Sequence, residues 1–188
     1  MIVATSEKLE DLAIVDLCDS LDIACFQGKL DDVLDRFYFA LEHEQADHVV
    51  RLTGDCPLTD PAIIDAVIQL HVEGDYDYTS NIRPPTFANG LDVEVIRYDC
   101  LVQAWSEATL PSHREHPPQF LYTKPERFQC VNLCSQFDFS DQRWTVDEAD
   151  DLEFVSNVYE ALYAKNPGFN TEDILGFLEQ HPELKRLN

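Results

Sequence analysis

A change of rhythm between residues 48 and 68 constrains this chain more than any other feature. His48-Val49-Val50-Arg51-Leu52 is a short apolar run that stops at Gly54-Asp55, and Asp60-Pro61 then opens a segment with Ile63, Ile64, Val67 and Ile68 at helical spacing. The order reads as strand, tight loop, helix. Gly54 is expected to let the chain leave the strand sharply, Pro57 to stiffen it, and Asp60 to cap a helix whose first residue is Pro61. Asp55 then lies at the carboxyl end of a strand, the edge at which open α/β sheets place their ligands. The same two residues, Gly54 and Asp55, also read as a plain turn.

The rest of the chain repeats this alternation. Residues 1–5 read as a strand, and Ser6 caps a helix to about 21 with Leu9, Leu12, Val15 and Cys18 at three-residue spacing. A strand at 23–26 precedes a helix from 31 or 32 with Val33, Leu34, Phe37, Tyr38 and Leu41 on one face. After the helix at 61–73 come strands at 76–81 and 91–96, the second with Asp92 and Glu94 on one half-exposed face. Residues 98–108 read as helix and the proline-rich 111–127 mostly as connection. Strands at 129–133 and 143–146, a helix at 147–164 and a last helix capped by Thr171 complete the pattern. Such alternation predicts an α/β fold with a doubly wound, mostly parallel sheet. No repeat or linker divides the 188 residues, so one domain is expected.

Thirteen basic against thirty-six acidic residues leave a net charge of −23, which disfavours nucleic acid and anionic membranes as partners. A phosphate ligand on such a chain needs Mg²⁺, a helix N-terminus or clustered arginines. Six cysteines without a signal peptide or long apolar span point to free thiols in a reducing cytoplasm. Cys130 and Cys134 read as packed thiols, and His113 and His116 as polar loop residues, because no complete zinc set accompanies them.

Three segments read together go beyond a generic α/β domain: Arg51-Leu52-Thr53-Gly54-Asp55-Cys56-Pro57-Leu58, Asn89-Gly90-Leu91-Asp92-Val93-Glu94-Val95, and Arg143-Trp144-Thr145-Val146-Asp147 with the acidic residues that follow. With Asp31-Asp32-Val33-Leu34-Asp35-Arg36 and Arg114-Glu115-His116, they resemble the cytidylyltransferase family of the spore-coat polysaccharide type, related to acylneuraminate and Kdo cytidylyltransferases. The resemblance runs from residue 1 to about 165 and implies a Rossmann-like nucleotidyltransferase fold. It also implies transfer of CMP from CTP to a sugar acid with release of pyrophosphate, in polysaccharide or CMP-sugar biosynthesis. By the same resemblance, Asp55 and Asp147 hold Mg²⁺, and Asp92 and Glu94 lie on the sugar side. Arg51, Arg83, Arg114 and Arg143 become candidate substrate contacts. Each residue keeps an alternative: Asp147 as a helix cap, Asp92 and Glu94 as an exposed strand face, each arginine as a surface ion pair.

The family pattern opens with a strand and a loop rich in Gly, Ser, Arg and Lys that holds the triphosphate, whereas Met1-Ile2-Val3-Ala4-Thr5-Ser6 resembles its second strand. The resemblance therefore implies an N-terminally truncated domain with open sheet edges, impaired or inactive as this chain alone. His116-Pro117-Pro118 departs from the family on the sugar side. A homodimer, or pairing with a full-length relative, is expected. Two other readings stand beside this one: a metal-dependent glycosyltransferase using Asp75 and Asp77, and a non-catalytic binding or assembly partner.

Overall fold

In the computed structural model, which describes residues 1–188, strands and helices alternate as the hydrophobic periods require. In chain order they are β1 (Ile2–Ser6), α1 (Leu12–Ser20), β2 (Ala24–Gly28), α2 (Val33–Leu41), β3 (His48–Arg51), α3 (Pro61–Gly74), β4 (Tyr78–Ser80), β5 (Glu94–Arg97), α4 (Tyr98–Glu107), α5 (Pro111–Glu115), α6 (Gln119–Tyr122), β6 (Cys130–Asn132), α7 (Ala149–Leu162) and α8 (Thr171–Gln180). Two compact units result, Met1–Val49 with Ile96–Cys130 and Val50–Val95 with Val131–Asn188.

In the first unit β1 and β2 pair in parallel, Ile2 opposite Ala24 through Ser6 opposite Gly28. Parallel neighbours need a crossover, and α1 supplies it. The expected inward face forms only in part: Cys18 of α1 is buried, whereas Leu12 is 41% exposed and Leu9, in a 3-10 turn ahead of the helix, 85% exposed. A two-stranded sheet offers too little surface to cover every apolar residue the helical spacing provides. Packing is better around α2, where Tyr38 stacks on Trp105 at 3.9 Å between ring centroids. The Trp105 indole donates to Asp35 Oδ1 at 2.8 Å, giving its polar edge a partner.

The second sheet has the order β3-β5-β4-β6. β5 lies between β3 and β4, so Glu94, Val95 and Ile96 are all buried. The half-exposed strand expected at 91–96 is therefore corrected: alternation along the sequence does not reveal that an interior strand of the sheet is buried on both faces. Val67 of α3 packs with Val93 and Val95, and a larger core joins Leu58, Leu91, Trp144, Phe154, Ile174 and Leu178. Asp60 caps α3 as expected, accepting from Ala62 N at 2.8 Å, with Pro61 in the first turn. Thr171 is not the cap of α8; Asn170 takes that place, and Thr171 donates its hydroxyl and N–H to Asp60.

Residues 143–146 do not form the expected strand. Arg143 N donates to Arg186 O, Trp144 N to Asn89 O and Val146 N to Asp55 O. Three partners in three different segments leave no continuous ladder. No helix is long and apolar enough to cross a membrane.

Candidate active site

Beyond Arg51 the chain turns twice before α3. Cys56 N donates to Thr53 O at 3.2 Å, and Thr59 returns to Cys56 O through its hydroxyl at 2.6 Å. Gly54 is not what permits the turn. A Cβ there would meet nothing within 4 Å, and Gly90, at φ 110°, is the glycine held in the left-handed region. A Cβ on Gly90 would come within 2.6 Å of the Trp144 carbonyl carbon, so the close approach of two loops depends on that residue.

The double turn presents the half-buried Asp55 carboxylate, whose Oδ1 lies 3.6 Å from Cys56 Sγ. Burial, with the nearby charges of Asp55 and Asp92, pushes the Cys56 thiol up to about 12, against a hydroxyl contact from Thr53 that lowers it. Cys56 therefore stays protonated and is no nucleophile. Asp55 O accepts from Val146 N at 2.8 Å. That single backbone bond fastens the loop carrying Asp55 to the loop carrying Asp147.

Asp147 is 54% exposed, and its Oδ2 accepts from Arg143 Nη2 at 2.6 Å and Thr145 Oγ1 at 3.3 Å. Its other oxygen takes part in no hydrogen bond within the chain. The alternative of Asp147 as a helix cap does not apply, because α7 starts two residues later with Glu148 as cap and Asp151 closing a capping box. Asp151, 1% exposed, accepts from Arg143 Nε at 3.1 Å and Nη2 at 2.8 Å. It also accepts from the N–H groups of Asp147 and Glu148, both at 3.1 Å. The Arg143 bonds, opposed by burial and helped by those N–H groups, hold the Asp151 carboxyl far below the usual carboxylate range. Arg143 in turn is pushed up by Asp151 and Asp147. It orients Asp147 and is committed to internal carboxylates.

Glu94 faces inward at 3% exposure, where Tyr78 OH donates to Oε1 at 2.6 Å and Arg51 Nη1 pairs with Oε2. Burial and the Glu94 charge push the Tyr78 phenol well up, so it remains a donor. Asp92, two residues earlier, is half-buried beside a cleft. The Asn81 amide fixes the backbone on both sides of it, donating to Leu91 O at 2.7 Å and accepting from Val93 N at 2.8 Å. Burial raises the Asp92 carboxyl, as do the charges of Glu94 and Asp55, while a bond from the Gly90 backbone and the Arg51 charge oppose them. Asp55, Asp92, Glu94 and Arg51 thus form one electrostatic neighbourhood.

The remaining candidates lie elsewhere. Arg83 is exposed, and its N–H donates to Asn132 Oδ1 at 2.7 Å. Arg114 belongs to the first unit, where Nη2 bonds Asp32 at 2.7 Å and Asp35 at 3.3 Å, and Nη1 bonds Trp105 O at 2.9 Å. Asp75 ends α3 in the left-handed conformation, φ 49°, a structural role for the first member of the Asp75–Asp77 pair. Cys130 and Cys134, expected to be packed, are exposed. His113 is buried edge-on to Phe120. No three His, Cys, Asp or Glu side chains converge to hold a metal by themselves. Mg²⁺ does not need them to, since it keeps several waters and takes one or two carboxylates plus substrate phosphates. Asp55 and Asp147, on loops fastened together, fit that requirement.

Residues 1–147 match the family model described as cytidylyltransferase. The chain belongs to the cytidylyltransferase family. An uncharacterised protein of Methanocaldococcus jannaschii is 34% identical over 190 residues, covering 100% of this chain and 76% of that protein. The spore coat polysaccharide biosynthesis protein SpsF of Bacillus subtilis is 27% identical over 186 residues, covering 97% of this chain and 76% of SpsF. A solved cytidylyltransferase structure from Leptospira borgpetersenii superposes with TM-score 0.90 at 27% identity, over 97% of this chain and 77% of that one. The α/β, Rossmann-like nucleotidyltransferase fold expected from the sequence is the fold of this cytidylyltransferase-family chain. Tyr78, Asn81 and Asp151 carry much of the site's order, yet the sequence gives none of them a site role, Asp151 reading only as one of the acidic residues that follow Asp147. Their side-chain partners Glu94 and Arg143, and the Leu91 carbonyl that Asn81 holds, lie eight or more residues away, and the fold brings them together.

Proposed function

We propose that this chain binds CTP and transfers CMP to a sugar, forming a CMP-sugar for polysaccharide synthesis. In that reaction a sugar hydroxyl oxygen bonds to the α-phosphorus, and the bond from that phosphorus to the β-bridging oxygen breaks. Pyrophosphate leaves with the electron pair, and the hydroxyl proton passes to solvent. The observation that carries the reading is the Val146–Asp55 backbone bond, which joins two carboxylate loops in a chain of this family. Asp55 and Asp147 would hold Mg²⁺, which supplies charge neutralisation of the phosphates and polarisation of phosphorus when bound. Arg143 and Asp151 keep Asp147 in place, Glu94 and Tyr78 orient Arg51, and Asp92 meets the sugar. Arg83, exposed beside the sheet, is a candidate anion contact.

Slow turnover by this chain alone belongs to the same reading. Arg51, Arg114 and Arg143 are committed to internal carboxylates, so few cations face a triphosphate. Six free thiols support a reducing, cytoplasmic setting. Thermal unfolding with Mg²⁺ and each nucleoside triphosphate tests the nucleotide: ligand at 100 times its Kd stabilises by about 2.7 kcal/mol. CTP should raise the Tm and ATP, GTP and UTP should not; equal shifts with all four would contradict cytidine selectivity.

The exposed Leu9, Leu17 and Leu21 of the first unit, beside a sheet of only two strands, favour an assembly reading as well, as a homodimer or with a full-length relative. Sedimentation of the purified chain decides it. A monomer that binds no relative would remove this second reading.

A further inference from the structure

The segment that follows α8 lies against the candidate site, within the second unit. Pro182–Leu184 makes one tight turn, Leu184 N donating to His181 O at 3.0 Å, and Lys185, at φ −59° and ψ 127°, leads the chain out of it. Residues 186–188 then run antiparallel to 141–143. Leu187 bridges Gln142, Arg143 N donates to Arg186 O at 2.9 Å, and Asn188 N donates to Asp141 O at 2.9 Å.

Two side chains of this segment reach different parts of the site. Arg186 Nη2 bonds Asp151 Oδ1 at 3.3 Å, the oxygen that Arg143 Nε reaches at 3.1 Å. Arg143 is divided between Asp147 and Asp151, so one guanidinium alone leaves two carboxylates short of a charge. Arg186 supplies the second cation to the buried member of the pair. Asn188 Nδ2 donates to Ser140 O at 2.7 Å and Gln142 O at 3.3 Å, and its Oδ1 accepts from Asn89 Nδ2 at 3.0 Å. Asn89 opens the loop that leads through Gly90 to Asp92, and Asn188 lines the cleft beside that carboxylate. Three residues thus touch both the loop carrying Asp147 and the loop leading to Asp92. Their hold is polar, since Leu187 is 62% exposed. A segment fastened by exposed hydrogen bonds opens without global unfolding, and the loops it fastens loosen with it.

We propose that Arg186, Leu187 and Asn188 form a positioning strap, which fixes Arg143 and through it the Asp147 carboxylate, and ties that loop to the one leading to Asp92 so that the two order as one unit. Arg186 and Asn188 touch no reacting group; they act through Arg143, Asp151 and Asn89. The use of that order, metal binding at Asp55 and Asp147, rests on the cytidylyl-transfer reading.

Amide hydrogen exchange followed by NMR on the full chain tests the strap. Arg186→Ala should speed exchange at Asn89 and Trp144 as well as at Arg143, and Asn188→Ala should speed it at Arg143 and Asp147 as well as at Asn89, each by at least about tenfold. Val67 in α3 and Val95 in β5 should keep their rates, the urea midpoint should not move, and Arg186→Lys should restore most of the protection. Acceleration confined to the loop beside the altered side chain, no acceleration, or faster exchange in α3 and β5 as well would each overturn the strap. Mn²⁺ titration read by electron paramagnetic resonance scores the metal separately. Asn188→Ala, which alters no charge, should weaken Mn²⁺ by at least about threefold, because a loosened Asp147 loop has to be ordered on binding. Unchanged Mn²⁺ affinity in that variant would overturn the positioning role. No Mn²⁺ binding by the unmodified chain would remove the metal reading alone, and the exchange pattern would still decide the strap.

Discussion

Asp151 holds the Asp147 loop in place, although it is buried and touches no proposed substrate. Removing it leaves Arg143 without its main partner and two backbone N–H groups unpaired. Asp151→Ala should cost about 3–5 kcal/mol in urea unfolding, the range for breaking one half of a buried ion pair. Its depressed pKa fixes the sign of the pH effect. The stabilisation is complete above the ordinary carboxylate value of 3.8 and is lost as pH falls from there toward the lower folded value. Acid unfolding of Asp151→Asn should therefore be less steep below that pH than that of the unmodified chain; identical profiles would show that another carboxylate governs it. Glycine makes a second contrast. Gly90→Ala should destabilise by more than about 1 kcal/mol, since φ 110° and a 2.6 Å contact both oppose a methyl group. Gly54→Ala, with open space around it, should leave stability within about 0.5 kcal/mol. Asp55 was legible because Gly-Asp stops an apolar run, but which glycine the backbone requires was not, because that depends on Trp144 arriving from far along the chain.

At the scale of elements, Asp60 does two jobs. It caps α3 through Ala62 N and takes both the hydroxyl, at 2.6 Å, and the N–H, at 2.9 Å, of Thr171 ahead of α8. Burial opposes its charge, but the Thr171 and Ala62 bonds outweigh it and hold the carboxyl below its usual range. Asp60→Ala should cost about 1–3 kcal/mol, more than an isolated cap, because two donors lose their acceptor as well. Chemical denaturation of Asp60→Ala, Thr171→Val and the double variant checks this; additive losses would show that the two residues do not interact. The start of α3 was written in the sequence as Asp60-Pro61. The tie to Thr171 spans 111 residues and leaves no local pattern. β5 failed for a related reason: Val-Glu-Val alternates like a surface strand, yet the glutamate is buried, and Tyr78 and Arg51, brought beside it by the neighbouring strands, make that burial tolerable.

Over the whole molecule, a net charge of −23 is a poor starting point for binding a triphosphate. Family membership asks the chain to do so, and the conflict narrows what must be true. Most of its arginines near the candidate site already face carboxylates, so the proposed function assigns the phosphate charge to a divalent cation, for which Asp55 and Asp147 are the proposed ligands. Those two residues were marked in the sequence by a resemblance among separated segments, and the fold ties their loops together. The measurement that bears most directly on this account is calorimetric titration of the chain with CTP, with and without Mg²⁺, alongside Asp55→Ala. The account predicts binding that requires Mg²⁺ and is lost in the variant. Binding that persists without Mg²⁺ or in Asp55→Ala, or no binding by the folded chain, would contradict it.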